Sequence, residues 1–423
     1  MRIVHLAAGA GPMYCGACKR DVALARALRD LGHEVLVVPL YTPLRLEDPQ
    51  DVPIGPLGFG GIRALLAGSR AFRLLPRRLR RALDHPFLVR LATSRAKAVD
   101  ASRLGALTVG VLQGLGGPQS ECWEALEEVF RGLPKPDWVT ITNSMLSAAA
   151  EVVERVWGVP CAAYLQGEET FLDSLGDPYR EQAWGLVRGL AARCERLLPT
   201  SRSGAAWWRA RLGLEEDRFA VVPPCLADAA SVAVAKPPEE RRVACVGVLA
   251  PAKGQDLLVA AAANLAPSGG WSFVIAGRTM DAAYGRRLLS AARAAGPRGK
   301  VRVLGELDPW SKRWLQATAG IGCVPSRIPE ARGLVALEFL SYGVPTVVPD
   351  TGVFPEVAER VDGTVLFRSG SAEALQTALE SAARPEMQEA TERVRRAARM
   401  REEFSPERAA EALLKALGSP AAT

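Results

Sequence analysis

Residues 322–356 read GCVPSRIPEARGLVALEFLSYGVPTVVPDTGVFPE, and the order of apolar runs and breakers in this stretch decides the fold. Residues 321–324 are a short apolar run, the pattern of a strand buried on both faces. A polar loop covers 325–332, and Gly333 then opens a helical run over 334–342. Gly343 stands where a helix C-terminus takes a positive φ, and Pro345 forbids continuation of the helix. Residues 346–348 form the next strand. The stretch is therefore strand, loop, helix, strand, with Glu330 before the helix, Glu338 inside it and seven residues between them.

Glu338 lies five residues beyond Gly333, roughly 7 Å of helical rise, and Glu330 is three loop residues further back. The carboxylates are expected on the order of 10 Å apart or more. A glycosidase pair works across about 5–9.5 Å, so a hydrolytic pair is disfavoured. Two carboxylates at the ends of an elongated polyhydroxylated ligand fit better. Between them the N–H groups of Gly333, Leu334 and Val335 make a helix N-terminus, which attracts anions. Sugar hydroxyls, a diphosphate and a ribose would follow one another along such a site, as in a nucleotide sugar. A surface glutamate at a helix end and another on a solvated helix face have the same spacing, so the surrounding sequence has to separate the two readings.

That surrounding sequence carries a resemblance. Glu330-Ala-Arg-Gly-Leu-Val-Ala-Leu-Glu338, then Tyr342-Gly-Val-Pro-Thr-Val and Gly352-Val-Phe-Pro-Glu356, resembles the E-x7-E donor motif of retaining glycosyltransferases of family 4. The resemblance implies an α/β protein of GT-B fold, with two facing Rossmann-like domains and a C-terminal helix that crosses back to the N-terminal domain. The family has Gly-Phe-Gly-Leu-Pro inside the motif, so Arg332 and Val335 are departures.

A chain of 423 residues suits two domains of about 200 each. The expected division is 1–230 for an acceptor domain, with a basic, variable segment over about 45–130, then 241–400 for a nucleotide-sugar domain and 401–423 for the crossover helix and tail. The 53 Lys and Arg against 46 Asp and Glu give a net charge of +7, a mild bias towards anionic ligands. Neither zinc-finger spacing nor an aromatic RNA motif appears, which argues against nucleic acid. The eight scattered cysteines, several in expected strands (Cys161, Cys245, Cys323), read as reduced core residues of a cytoplasmic protein. The apolar start is too short for a signal peptide and is followed at once by a helix, so it reads as the first strand. No run approaches the 18 or more apolar residues of a membrane span. Ala- and Arg-rich usage fits a bacterial chain.

Taken in order, residues 2–8 are a strand, 9–16 a glycine-containing loop, 17–31 a helix and 35–40 a second strand. This βαβ opening lacks the G-x-G-x-x-G spacing and the acid after strand two that NAD binding requires. By the resemblance, Cys15-Gly16 takes the place of a glycine pair that approaches the donor phosphate, and Arg20 that of a basic or His residue. Cys15-Gly-Ala-Cys18 is also a C-x-x-C at a helix start, the pattern of a redox or metal pair. The basic stretch 63–97 alternates arginines with leucines, as does a membrane-surface helix and equally a solvated basic face.

Residues 137–142 read as a strand, Asn143-Ser144 as the cap of a helix over 145–157, and 161–165 as a strand that delivers Gln166 to its C-terminal end, where open α/β sheets bind ligands. By the resemblance, many family members have a His at the Gln166 position, facing the transferred sugar, so Gln166 is a departure. Residues 197–200, 204–212 and 219–222 complete the domain as strand, helix and strand, and 227–240 reads as a linker. The second domain opens with strand 243–248, where Gly247, Lys253 and Gly254 match the family's Gly-Arg-Leu-x-x-x-Lys-Gly phosphate loop and Val248 replaces its Arg. Arg278 or Arg332 would then supply the second positive charge. Residues 273–276 and 301–304 are strands, the latter leading to the expected base-binding turn. Residues 363–367 and 372–383 follow as strand and helix, and Ser405-Pro406-Glu407 starts the last helix.

By the resemblance the chain is a retaining, metal-independent hexosyltransferase for carbohydrate biosynthesis that needs no cofactor. It would move a hexose from a nucleotide sugar to a hydroxyl of a sugar or lipid-linked acceptor, possible membrane contact running through 63–97. Glu330 would orient sugar hydroxyls and Lys253 would stabilise the leaving diphosphate. Gly16, Arg20, Gln166, Gly247, Arg278, Arg332, Gly333, Leu334, Val335 and Glu338 would line the donor, with Glu338 on the ribose. Competing readings are a nucleotide-sugar epimerase or a phosphorylase on the same fold, a binding protein that has lost catalysis, and a C-x-x-C redox protein.

Overall fold

In the computed structural model, the structure describes residues 1–9, 16–44, 52–66, 72, 74, 76, 104–226, 239–296 and 300–418. Cys15, most of the basic stretch 63–97 and all but the last two residues of the expected linker 227–240 lie outside these residues. The chain divides into two compact units, Met1–Ala227 with Pro406–Thr423, and Asp228–Ser405.

The N-terminal unit is built on a five-stranded parallel sheet: β1 Arg2–Ala7, β2 Glu34–Pro39, β3 Trp138–Ile141, β4 Cys161–Leu165 and β5 Arg196–Pro199, in the order β2-β1-β3-β4-β5. Residue alternation splits the sheet into two apolar faces. Val4, Leu6, Val139, Ile141, Ala163 and Leu165 enter one core. Ile3, Ala7, Val35, Val37, Ala162 and Tyr164 enter the other. The second core is shared with Leu24, Ala27 and Leu28 of helix Gly16–Asp30 and with Ala409, Ala410, Leu413 and Leu414 of helix Pro406–Ala416. The last helix thus returns to the N-terminal unit.

The C-terminal unit holds a six-stranded parallel sheet: β6 Glu239–Val246, β7 Ser272–Ala276, β8 Val301–Leu304, β9 Ala319–Cys323, β10 Thr346–Pro349 and β11 Thr364–Phe367, in the order β11-β10-β9-β6-β7-β8. The same alternation places Val243, Cys245, Phe273, Ile275, Ile321 and Cys323 on one face and Ala244, Val274 and Ala276 on the other. Burial pushes the Cys245 thiol up to about 12, so it packs as an apolar group.

Two local expectations need correction. Residues 219–222 are not a regular strand. Phe219 forms one isolated bridge with Leu197, and Ala220 and Val222 donate to Leu197 O and Pro199 O at 2.9 and 3.0 Å. The helix expected over 145–157 is a short turn, Ser144–Leu146, followed by helix Ala149–Val156. Asn143 occupies the cap position, but its side chain caps nothing. The Glu168 carboxylate takes the Ser144 N–H at 2.8 Å instead, so the need for a local cap is met from another strand end.

Candidate active site

At the end of β9 the chain leaves the sheet as a loop and re-enters it through helix Leu334–Ser341. Gly333, with φ 59°, is the N-cap, and it has no side chain with which to cap the helix. Val353 N donates to Glu330 O at 2.9 Å, and Arg327 N to Ala252 O at 2.9 Å, so the loop is clamped from both sides.

Lys253 ends the turn Pro251–Lys253 after β6. The next residue, Gly254, has φ 66°, and a Cβ there would overlap the Pro325 carbonyl oxygen. That close approach brings the Lys253 loop against the Glu330 loop. The Lys253 ammonium donates to the Glu330 carboxylate, with side chains 30% and 19% exposed. Arg327 grips both oxygens of Asp256 at 2.7 and 2.6 Å and donates to Pro251 O at 3.0 Å. Burial works to raise the Asp256 carboxyl, but hydrogen bonds from Arg327 and Tyr284 hold it below the usual carboxylate range. Gln255 completes the brace by donating to Val248 O at 2.8 Å.

Glu338 is held by a separate element. Helix Pro309–Thr318 is capped by Asp308, whose carboxylate accepts from Trp310 N and Ser311 N at 2.9 and 3.0 Å. From this helix Lys312 and Gln316 each donate to one Glu338 oxygen at 2.7 Å. Glu330 and Glu338 therefore have different partners on different elements. A carboxylate fixed at both oxygens keeps further lone pairs for ligand hydroxyls.

The other expected donor residues fall around the same edge of the sheet. Gly247 follows β6 and donates to Ala276 O at 3.0 Å. Arg278 is exposed after β7, and its carbonyl accepts from Leu249 N at 2.9 Å. Arg332 is half-buried just before Gly333, and Leu334 and Val335 form the first turn of the helix. Sequence reasoning missed Arg327, Asp256, Lys312 and Gln316. The first two carry a local signal, since each adjoins a quoted motif. Lys312 and Gln316 carry none, because only the packing of two helices brings them to Glu338.

Gly16, Arg20 and Gln166 belong to the N-terminal unit, where a second polar cluster lies. Gly16 is the first residue of helix Gly16–Asp30. Arg20 is buried, pairs with Asp21 and lies 4.2 Å from the centroid of the Tyr164 ring. Asp21 also accepts from Thr142 at 2.9 Å and lies 3.3 Å from His5 Nε2, while His5 Nδ1 is 2.8 Å from Thr140. Burial alone would raise the Asp21 carboxyl, but Arg20 and His5 beside it hold it far below the usual range. Gln166 donates its amide to Thr142 O, and its backbone N–H donates to Glu168 at 2.6 Å. Glu169 next to it behaves in the opposite way. Burial, aided by Glu168 and Asp173, pushes its carboxyl up to about 7.

Residues 228–401 match the family model described as glycosyl transferases group 1. No curated protein matches the sequence. Among solved structures, the chain is similar to Anabaena Alr3699/HepE in complex with UDP and glucose, at 17% identity and a TM-score of 0.65 over 99% of both chains. It is similar to the catalytic domain of starch synthase IV from Arabidopsis thaliana bound to ADP and acarbose, at 14% identity and a TM-score of 0.69 over 99% of this chain and 98% of that one. A third is sucrose-phosphate synthase from Thermosynechococcus elongatus, at 16% identity and a TM-score of 0.65 over 98% of both. No described helix is long and apolar enough to cross a membrane. The chain has the GT-B fold, and its residues 228–401 match the glycosyl transferases group 1 model.

Proposed function

We propose that the chain transfers a hexose from a nucleotide sugar to a hydroxyl acceptor, with retention at the anomeric carbon and without a metal ion. The observation that carries this reading is the Lys253–Glu330 ion pair beside the uncapped start of helix Leu334–Ser341. Both groups are partly exposed, so their mutual attraction is weak and a ligand can take either one. A sugar that donates hydroxyl hydrogens to Glu330 would free Lys253 for the diphosphate. The Gly333, Leu334 and Val335 N–H groups would add their dipoles to the same anion. Glu338, fixed by Lys312 and Gln316, would accept from the ribose hydroxyls. The bond from the anomeric carbon to the diphosphate oxygen breaks as the acceptor oxygen bonds on the same face. The acceptor proton passes to the leaving diphosphate, and Lys253 offsets the charge that develops there. Gly247 would let the backbone approach the phosphates, and Arg278 or Arg332 would supply the charge that Val248 does not. The HepE and starch synthase IV structures, which hold UDP with glucose and ADP with acarbose, support a nucleotide and a sugar as the ligand pair.

The acceptor would be a sugar or lipid-linked hydroxyl, with contact to a membrane surface through the basic stretch 63–97. Sedimentation with anionic vesicles tests that part. The donor is tested by calorimetric titration of UDP-, GDP- and ADP-glucose into the wild type and Glu338→Ala. One nucleotide is expected to bind at micromolar Kd and to weaken in the variant. If none binds, the donor reading fails. Proton NMR of the product reads the anomeric configuration, and turnover that disappears in EDTA would sink metal independence. Donor binding without transfer to any acceptor would point to a binding protein.

A further inference from the structure

A donor that takes both Lys253 and Glu330 has to part the ion pair between them. Lys253 stands in the turn Pro251–Lys253 and Glu330 in the loop before Gly333, so no helix or strand carries both. Once the pair is broken, the spacing of the two side chains depends on other bonds that cross between the loops. Arg327, three residues before Glu330, makes four of them. Its N–H donates to Ala252 O at 2.9 Å and its guanidinium to Pro251 O at 3.0 Å. The same guanidinium grips the Asp256 oxygens at 2.7 and 2.6 Å. These contacts straddle Lys253.

Asp256 is a firm anchor for the fork. It lies in the first turn of helix Gln255–Leu265, whose Leu258 and Ala262 are fully buried. Tyr284, itself buried, donates to Asp256 at 2.9 Å and accepts from its N–H at 3.1 Å. The fork is 35% and 44% exposed, where an ion pair adds little to folding. What it adds is direction, because a planar guanidinium on both oxygens of a carboxylate fixes angle as well as distance.

We propose that Arg327 and Asp256 are positioning residues whose fork keeps the Lys253 and Glu330 loops in register after a donor has separated that pair. The role presupposes that Lys253 and Glu330 take a nucleotide sugar, as proposed, and in it neither Arg327 nor Asp256 contacts the donor. A ligand held by Lys253 alone does not sense the register. One that spans Lys253 and Glu330 does.

Calorimetry on the full chain compares UDP with UDP-glucose, GDP with GDP-glucose and ADP with ADP-glucose. In Arg327→Ala the nucleotide glucose is expected to bind about 5- to 20-fold more weakly, and the bare nucleotide within about 2-fold of wild type. Equal loss for both ligands, or none for either, overturns the fork. Asp256→Ala should match Arg327→Ala, with no further loss in the double variant, and losses that multiply overturn the pairing. Arg327→Lys keeps the charge without the fork and should retain most of the defect, so full affinity in it also overturns the proposal. Urea midpoints separate a lost fold from a lost register. A wild type that binds none of these ligands sinks the nucleotide-sugar reading itself, and this role with it. Wild-type binding with an unchanged ratio in the variants sinks the fork alone.

Discussion

Beside β1 in the N-terminal unit, Asp21 and Arg20 keep only 1% and 4% of their side chains exposed. After β9 in the C-terminal unit, Glu330, Glu338 and their lysines keep 19–33%. Both clusters lie in parallel α/β sheets, and both pair acids with bases. The buried pair has given up hydration that only its partners replace, so losing one partner strands a charge. The half-exposed pairs are worth little to stability and can exchange partners with a ligand. On the proposed function, the buried charges hold the fold together and the half-buried ones meet the ligand.

Asp21→Ala is the strongest test of that contrast. It leaves Arg20 without its acid and is expected to cost about 3–5 kcal/mol in urea unfolding. A cost under about 1 kcal/mol would erase the distinction. The pH dependence sharpens it within the N-terminal unit. The Asp21 carboxyl is depressed in the fold, so its contribution is present above its unfolded pKa of about 4 and is lost as pH falls below that value. Glu169 is raised to about 7, so it favours the fold at low pH and its contribution is lost as pH rises from about 4.3 through 7. Glu169→Gln should flatten the second slope, raising stability at pH 8 relative to pH 5 by about 1–3 kcal/mol. The urea midpoint of each protein against pH reads both slopes.

In the C-terminal unit the expected losses move from stability to binding. Glu338→Ala should weaken the donor by about 1–3 kcal/mol, roughly 5- to 150-fold in Kd, with unfolding changed by less than about 1 kcal/mol. Lys312→Ala, which only removes a holder of Glu338, should weaken the donor by about 0.5–1 kcal/mol. An effect as large as that of Glu338→Ala would place Lys312 on the ligand itself. Arg327→Ala is expected to have the smallest effect on unfolding, under about 1 kcal/mol, because its ion pair with Asp256 is partly exposed, at 35% and 44%.

The strands after residue 239 were legible because each is a short apolar run between breakers, and burial on both faces demands such runs. β8 coincides with its expected range, 301–304, and β9 differs by one or two residues at its ends. The turn at Gly343 has the expected positive φ of 70°. Expectation failed where a long-range partner replaced a local one. Asn143 is the right residue type for a cap, but Glu168 reaches the orphan N–H first. Residues 219–222 have strand composition, yet they follow an edge strand with a single bridge.

In the C-terminal unit, Glu330, Lys253, Gly333 and Glu338 stand in contiguous motifs, because a loop and the helix it starts position their side chains within a few residues of sequence. That Lys253 engages Glu330 across 77 positions, and Lys312 engages Glu338 across 26, was decided by the packing of separate elements. The amino-acid order alone carries local backbone preference and the alternation of apolar residues, and these suffice for parallel α/β units. The pairing of charges, and the burial that makes one cluster structural and leaves another open to a ligand, arises only when distant segments share one volume and water is excluded unevenly from it.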